Sequence, residues 1–426
     1  MTPFHNSFPG LPMPSEAEHS LADFYFPEDN STLQAPASFS EWVEKGAWAV
    51  NLFEPQMLGA VRPRMMIERA GKRTEVVNLS SYNYLGLATH PEVVNAGIRA
   101  LQEYGTGACG SPLLSGLSNL HRELERKLTE WTGREACMLF NSGFAGSMGS
   151  LAGVLRKGDA AVVDSKVHLS ILDGVKLAKA KLVFFDHNDA ESLEKALKAT
   201  EGRRRLVVVE GVYSMDGDTA NLPELLPVAE QHGVGVFIDE AHSIGVYGEH
   251  GRGVLEHYDV EDRVPVQFAT FSKSFASCGG YTVGPAELIR YVRYYSNPYG
   301  FSCALPPATV AGVLKALELI STDNSLRERV WANTKYFREQ ALGLGLNLGE
   351  STSQVMPIII GSDRQALYEL CSEMNDKGLF LAPVDYPSVP EDSLRYRVAV
   401  TAAHSKEDLD RALQILEDVI VPHVRG

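Results

Sequence analysis

The sequence is poor in features that mark several large protein classes. Its five cysteines (Cys109, Cys137, Cys278, Cys303 and Cys371) are scattered, with no CxxC pair. That spacing argues against a disulfide frame or a zinc site and for reduced thiols in a core or near a site. No apolar run approaches the ~20 residues needed to span a bilayer. The opening "MTPFHNSFPGLPMPSEAEHS" has neither a charged n-region nor an apolar h-region, so no secretory signal is read there. There is no GxGxxG, no Walker pattern, no internal repeat and no low-complexity tract. Basic residues are outnumbered, 39 Lys and Arg against 54 Asp and Glu, a formal net charge of −15. A sequence-independent nucleic-acid binder needs concentrated positive charge to displace counterions, which this balance opposes. The expectation is an acidic, soluble, cytoplasmic protein with no metal, no nucleic-acid partner and no transmembrane segment.

What is present is a chain of 426 residues, 44% hydrophobic and 22% charged, able to bury a large core. The first forty or so residues hold six of the 22 prolines and little periodicity, and read as an irregular arm. "SFSEWVEKGAWAVNLF" then has helical spacing after a serine start signal. From about residue 136 short apolar runs ("ACMLF", "DAAVVD", "KLVFFD", "RLVVVE", "VGVFID", "VQFATF") alternate with helix-like stretches such as "NLPELLPVAEQHG". Continuous apolar runs suit strands buried on both faces, so the pattern predicts an α/β domain with a mainly parallel sheet. After the long helix expected in "FSCALPPATVAGVLKALELI", residues from about 330 mix helices with alternating strands such as "LRYRVAVTA". That reads as a second, α+β domain. The boundaries expected are an N-terminal segment over 1–77, a large domain over 78–310 and a C-terminal domain over 311–426.

In a parallel sheet ligands lie beyond the carboxyl ends of the strands. Several runs here end in chemistry: "VGVFID" in Asp239, "RLVVVE" in Glu210, "VQFATF" next to Ser272 and Lys273, and "ACMLF" in "NSGFAG". "NSGFAG" leads a strand into a helix, whose free N–H groups suit a phosphate. Tight strand–helix packing that needs glycine explains the same stretch equally well. Asp239, at the end of a buried strand, needs a strong partner. A protonated heterocyclic nitrogen is one, and capping its own turn is the alternative. Lys273 follows a buried strand among Thr270, Ser272 and Ser274, where desolvation lowers an amine's pKa and makes it a nucleophile. An aspartate, an anion cradle and such a lysine together meet the three needs of pyridoxal phosphate: a pyridinium partner, a phosphate site and a Schiff-base lysine.

At this point the sequence resembles a family. "DEAHSIGVYGEHGRGV", "EGVYSMDGD", "TFSKSF" with "GGY", "FSCALPP" and "RYRVAVTAAH" are similar to the α-oxoamine synthases, over about residues 78 to 404. The resemblance implies a fold-type I pyridoxal-phosphate transferase, with a mainly parallel seven-stranded sheet in the large domain. It also implies condensation of an amino acid with an acyl thioester, usually with loss of CO2. By the same resemblance Lys273 forms the Schiff base and then acts as acid and base, and His168 stacks on the cofactor ring. Asp239 pairs with the pyridine nitrogen, while His242 and Ser214 reach the ring's phenolic oxygen. Gly143, Phe144, Thr270 and Ser272 hold the phosphate end. Ser302 reaches the phosphate of a neighbouring subunit, which implies a homodimer with a shared site. Arg397 binds the amino-acid carboxylate.

Three features depart from the family pattern. "VHLS" replaces the usual "NHAS" around His168, Pro112 stands where many relatives carry an arginine, and the N-terminal arm is longer. The spelling "SYNYLG", with Tyr82, has the flavour of serine palmitoyltransferases, although Tyr82 also reads as a packing aromatic. The resemblance therefore leans towards L-serine with a long-chain acyl thioester, on a CoA or a carrier protein, and so towards sphingolipid metabolism. Alanine or glycine with another acyl donor, in the manner of 8-amino-7-oxononanoate synthase, is the alternative. A non-catalytic subunit of the same fold is the reading from another class, and the presence of Lys273 with Asp239 speaks against it.

Overall fold

The computed structural model describes residues 32–45, 52 and 54–425. The proline-rich arm expected over the first forty residues lies almost wholly outside them. The helix expected near "SEWVEK" is present over Ala37–Lys45. The described residues fall into two compact units. One holds Tyr82–Ser214 and Asp218–Val330; the other takes residues up to Ser81, Met215–Gly217 and everything from Trp331 onward.

The second of these units opens with three strands that the sequence pattern did not announce: β1 (Gln56–Leu58), β2 (Arg64–Arg69) and β3 (Lys72–Asn78). Arg69 pairs with Lys72, so Ala70 and Gly71 alone make the turn, both with positive φ (48° and 78°). That is the type I′ geometry whose twist suits a two-residue hairpin.

The large unit is built on a seven-stranded sheet. Its strands are β4 (Ala136–Phe140), β5 (Ala160–Asp164), β6 (Lys181–Phe185), β7 (Arg205–Glu210), β8 (Gly235–Asp239), β9 (Val266–Thr270) and β10 (Gly280–Gly284). The order is β4-β10-β9-β8-β7-β5-β6. The apolar runs read as buried strands are six of the seven. The seventh, β10, lies in "GGYTVG" and is the antiparallel member, paired with β9 on one side and β4 on the other. Because β10 reverses direction twice over, β4 runs the same way as β9. The carboxyl ends of β4, β5, β7, β8 and β9 therefore share one rim. Every residue of β5, β9 and β10 is buried, as strands covered on both faces require.

The helix Pro307–Thr322 packs on the helices Pro91–Tyr104 and Asn119–Thr132, which keeps it in the large unit. The compact units divide after Val330, where the change from helix to mixed helix and strand is read in the sequence. Beyond it come β11 (Val355–Gly361), β12 (Leu379–Phe380), β13 (Pro383–Val384) and β14 (Leu394–Ala399). β12 pairs parallel to β3, so the early hairpin and the C-terminal segment build one unit and the early strands do not stand as a separate arm. β11, β14 and β13 form a three-stranded antiparallel sheet. Among the described residues no helix is long and apolar enough to cross a membrane, and no cluster of His, Cys, Asp and Glu is arranged to hold a metal ion.

Candidate active site

The large unit carries all but one of the side chains singled out in the sequence. Lys273 sits in a loop that the backbone staples onto itself. Phe271 N donates to Gly279 O (2.9 Å), Ser277 N to Phe271 O (2.9 Å) and Ala276 N to Lys273 O (2.9 Å). Behind the loop, Phe271 stacks on Tyr281 with centroids 5.4 Å apart and meets Phe275 edge-on at 5.4 Å. Gly279 has φ +108°, and a Cβ there would come within 2.6 Å of Phe140 O. Only glycine accepts both conditions, which accounts for "CGGY" beside the lysine.

The lysine's ammonium is poorly solvated among these strands. Desolvation pushes its pKa down to about 8, against the pull of Asp239 and Glu210, which favour the charged form. Asp239 ends β8 and is 4% exposed. Burial raises its carboxyl to about 6, with the charge of Lys273 acting in the opposite direction. Its Oδ1 also accepts from Ala241 N at 3.0 Å, so the turn-capping role foreseen as an alternative coexists with an ionic one. His242, three residues on, is buried and is held well below its usual pKa by burial, then by Lys273 and His168. Its Nδ1 lies 2.7 Å from the Tyr84 hydroxyl. Tyr84 was not singled out in the sequence, although it stands two residues after Tyr82 in "SYNYLG". Tyr82 meets the His242 ring edge-on at 6.1 Å.

His168 caps the helix Leu169–Leu177. Its Nδ1 accepts from Ser170 N (3.2 Å) and lies 2.8 Å from Ser170 Oγ. The atoms crowding its ring and the nearby Lys273 charge hold it below its ordinary pKa. Phe144 meets that ring edge-on at 6.0 Å.

At the phosphate end, Ser142 caps the helix Gly143–Val154 by accepting from Ala145 N at 3.4 Å. A Cβ on Gly143 would lie 2.4 Å from Thr270 Oγ1, and one on Gly146 2.7 Å from Phe268 Cε2. The packing reading of "NSGFAG" holds at both Gly146 and Gly143. Gly146 permits tight packing against the sheet, and Gly143 keeps the helix N-terminus open beside the Thr270 hydroxyl. Thr270 Oγ1 donates to Gly279 O (2.9 Å) and lies 2.9 Å from Ser272 Oγ. Ser302 is half-buried and precedes Cys303, whose carbonyl accepts from Asn141 Nδ2 at 3.0 Å. That bond sets its loop beside the same helix start. Ser214 is buried and closes its segment of the large unit. Arg397 belongs to the other unit, on β14. Burial pushes its guanidinium down to about 10, and its Nη1 approaches Met215 Sδ at 3.8 Å.

The donor set fits pyridoxal phosphate. A helix N-terminus kept open by Gly143 and flanked by two hydroxyls suits a dianion. A buried carboxylate and a desolvated amine stand at neighbouring strand ends, as the ring nitrogen and the aldehyde require.

Comparison with known proteins decides the family. Residues 74–416 match the family model for aminotransferase class I and II. An 8-amino-7-oxononanoate synthase of Thermoanaerobacter pseudethanolicus is 42% identical over 359 residues, 84% of this chain and 90% of that one. Its namesake in Symbiobacterium thermophilum is 39% identical, covering 92% and 96%. The chain belongs to the α-oxoamine synthases. Among solved structures, the serine palmitoyltransferase of Sphingomonas wittichii superposes with a TM-score of 0.85 at 32% identity, covering 91% of this chain and 96% of that one. A second, SPT with a PLP internal aldimine, gives 0.83 at 32% identity over 87% and 94%. The chain is accordingly a pyridoxal-phosphate-dependent, acyl-transferring enzyme with the fold-type I transferase fold.

Proposed function

We propose that this α-oxoamine synthase condenses L-serine with a long-chain acyl thioester, with loss of CO2. The observation that carries the reaction type is the pairing of the desolvated Lys273 amine with buried Asp239 on one rim. A pKa lowered to about 8 raises the share of neutral Lys273 amine, which can act as a nucleophile and then as a base. Pyridoxal phosphate, when bound, supplies an electron sink for the charge left on the amino acid's α-carbon. Lys273 holds the cofactor and afterwards carries the α-proton. Asp239 would pair with the ring nitrogen, and His168 would stack on the ring. His242 and Ser214 serve the phenolic oxygen. Gly143, Phe144, Thr270 and Ser272 hold the phosphate, with Ser302 serving the partner copy in a homodimer. Arg397 takes the amino-acid carboxylate, a task suited to a planar guanidinium.

For the amino acid, the argument is Tyr82. Its ring stands against His242, and a serine hydroxyl taken out of water needs a polar partner where an alanine methyl does not. The serine palmitoyltransferase structures support the same choice. A second reading, L-alanine with a different acyl donor, is favoured by the higher identity to 8-amino-7-oxononanoate synthases. A matrix of serine, alanine and glycine against long-chain and short acyl thioesters, read by free-thiol release, separates the two. Turnover with serine and a long-chain donor is expected. Absence of any spectral response to serine removes the first reading. A place in sphingolipid synthesis follows from the first reading alone.

A further inference from the structure

Glu210 stands on the rim without a task in the reaction set out above. It ends β7, is 3% exposed and lies in register with Asp239 on the adjacent strand, Gly211 N donating to Asp239 O at 2.8 Å. Adjacent strands lie about 4.8 Å apart, so two carboxyl side chains leave the sheet side by side. The chain cannot slide away from this arrangement. A Cβ on Gly211 would come within 2.5 Å of both Glu240 Oε2 and Ser243 Oγ.

The Glu210 carboxyl does not point into bulk water. Its Oε1 accepts a short hydrogen bond from His168 N. His168 is the cap of the helix Leu169–Leu177, and its own imidazole is engaged with Ser170. The ring is thus fixed from two sides, by its own Nδ1 contacts and by its main chain through Glu210. We propose that Glu210 is a positioning residue of the site: its carboxyl grips the His168 main chain, fixes the start of the following helix, and so sets the His168 ring against the cofactor. This rests on the reading of His168 as the residue that covers the cofactor ring.

The charge state is consistent with that task. Burial, and then the negative charge of Asp239, hold the Glu210 carboxyl well above the usual carboxylate range, with the His168 N–H and Lys273 pulling more weakly the other way. Either protonation state of Glu210 leaves an oxygen to accept from His168 N. Two ionised carboxyls side by side would repel each other and over-stabilise protonated Lys273.

The test compares Glu210→Gln and Glu210→Ala in the cofactor-loaded enzyme. The readouts are visible circular dichroism of bound pyridoxal phosphate, its dissociation constant, and the pH midpoint of its visible absorbance. Glutamine keeps the accepting oxygen, so E210Q should match the wild type in dichroism, in affinity within about twofold, and in midpoint within about 0.3 unit. E210A should bind the cofactor at least about tenfold more weakly, with an altered dichroic band. Wild-type dichroism and affinity in E210A overturn the proposal. So does an E210Q enzyme that binds as weakly as predicted for alanine, fails to fold, or moves its midpoint by a unit or more, since Glu210 would then be working as an ion. If E210A does not fold, E210Q alone decides. Wild-type protein without visible cofactor absorbance would instead sink the site reading itself.

Discussion

Two groups of buried ionisable side chains stand on the same sheet and have opposite characters. At the ends of β7, β8 and β9, Glu210, Asp239 and Lys273 are pushed towards their neutral forms. At the end of β5, Asp164 is fully buried, yet its neighbour His187 is pushed the other way, up to about 9. Burial opposes the charge on both sides. At His187 two hydrogen bonds outweigh it: Nδ1 to Asp164 Oδ1 at 2.9 Å and Nε2 to Asp218 Oδ2 at 2.7 Å. Asp164 Oδ2 accepts in addition from Asn188 N at 3.0 Å. A group whose valences the protein fills is a structural clamp. A group left short of its charge by desolvation has affinity to spend on a ligand.

The comparison can be broken from either end. The largest effect is expected from Lys273→Ala, which should reduce turnover to background and abolish the absorbance band of the lysine Schiff base. Turnover at the wild-type rate would remove Lys273 from the chemistry. Asp239→Asn comes next. Without the carboxylate the ring nitrogen loses its proton partner, and kcat should fall on the order of a hundredfold or more, measured under saturating substrates with cofactor supplied in excess.

His187→Asn addresses the clamp and should leave the chemistry alone. Removing the imidazolium leaves two carboxyls facing each other, at a cost of about 2–3 kcal/mol, the low figure allowing for partial solvent access. Because the folded pKa lies above the ordinary value of 6.5, this stabilisation is complete below that pH and is lost as pH rises through about 9. Urea midpoints at pH 6, 8 and 10 should show that loss in the wild type and its absence in H187N. A variant as stable as the wild type at pH 6 would mean that the clamp carries no charge. The smallest effect is expected from Gly143→Ala. The added methyl would press on Thr270 Oγ1 and weaken cofactor binding roughly tenfold, read by spectroscopic titration, with little change in melting temperature.

Much of the site was legible in the chain because strand ends are written as apolar runs closed by a polar residue. Asp239, Glu210 and Lys273 could be placed on one rim that way, before any coordinate. Tyr84 could not. Its 2.7 Å contact with His242 joins residues 158 positions apart, and nothing in "SYNYLG" states which ring points inward. The same holds for His187, whose two carboxyl partners come from the end of β5 and from the loop after β7. β10 was missed because "GGYTVG" carries two glycines that normally signal a loop. The close approach of β4 and β9 is what makes those glycines fit a strand. The placing of β3 escaped because its outer neighbour, β12, lies some 300 residues away.

The sequence by itself determined the alternation that builds a mostly parallel sheet, the polar residues closing its strands, and the motifs of the α-oxoamine synthases. Those properties are local and follow from side-chain period and burial. The tertiary structure alone decided which closing residues become neighbours, which of them are left short of partners, and hence which are charged. Protonation depends on desolvation and on charges brought together from distant segments, and no stretch of chain carries that information alone.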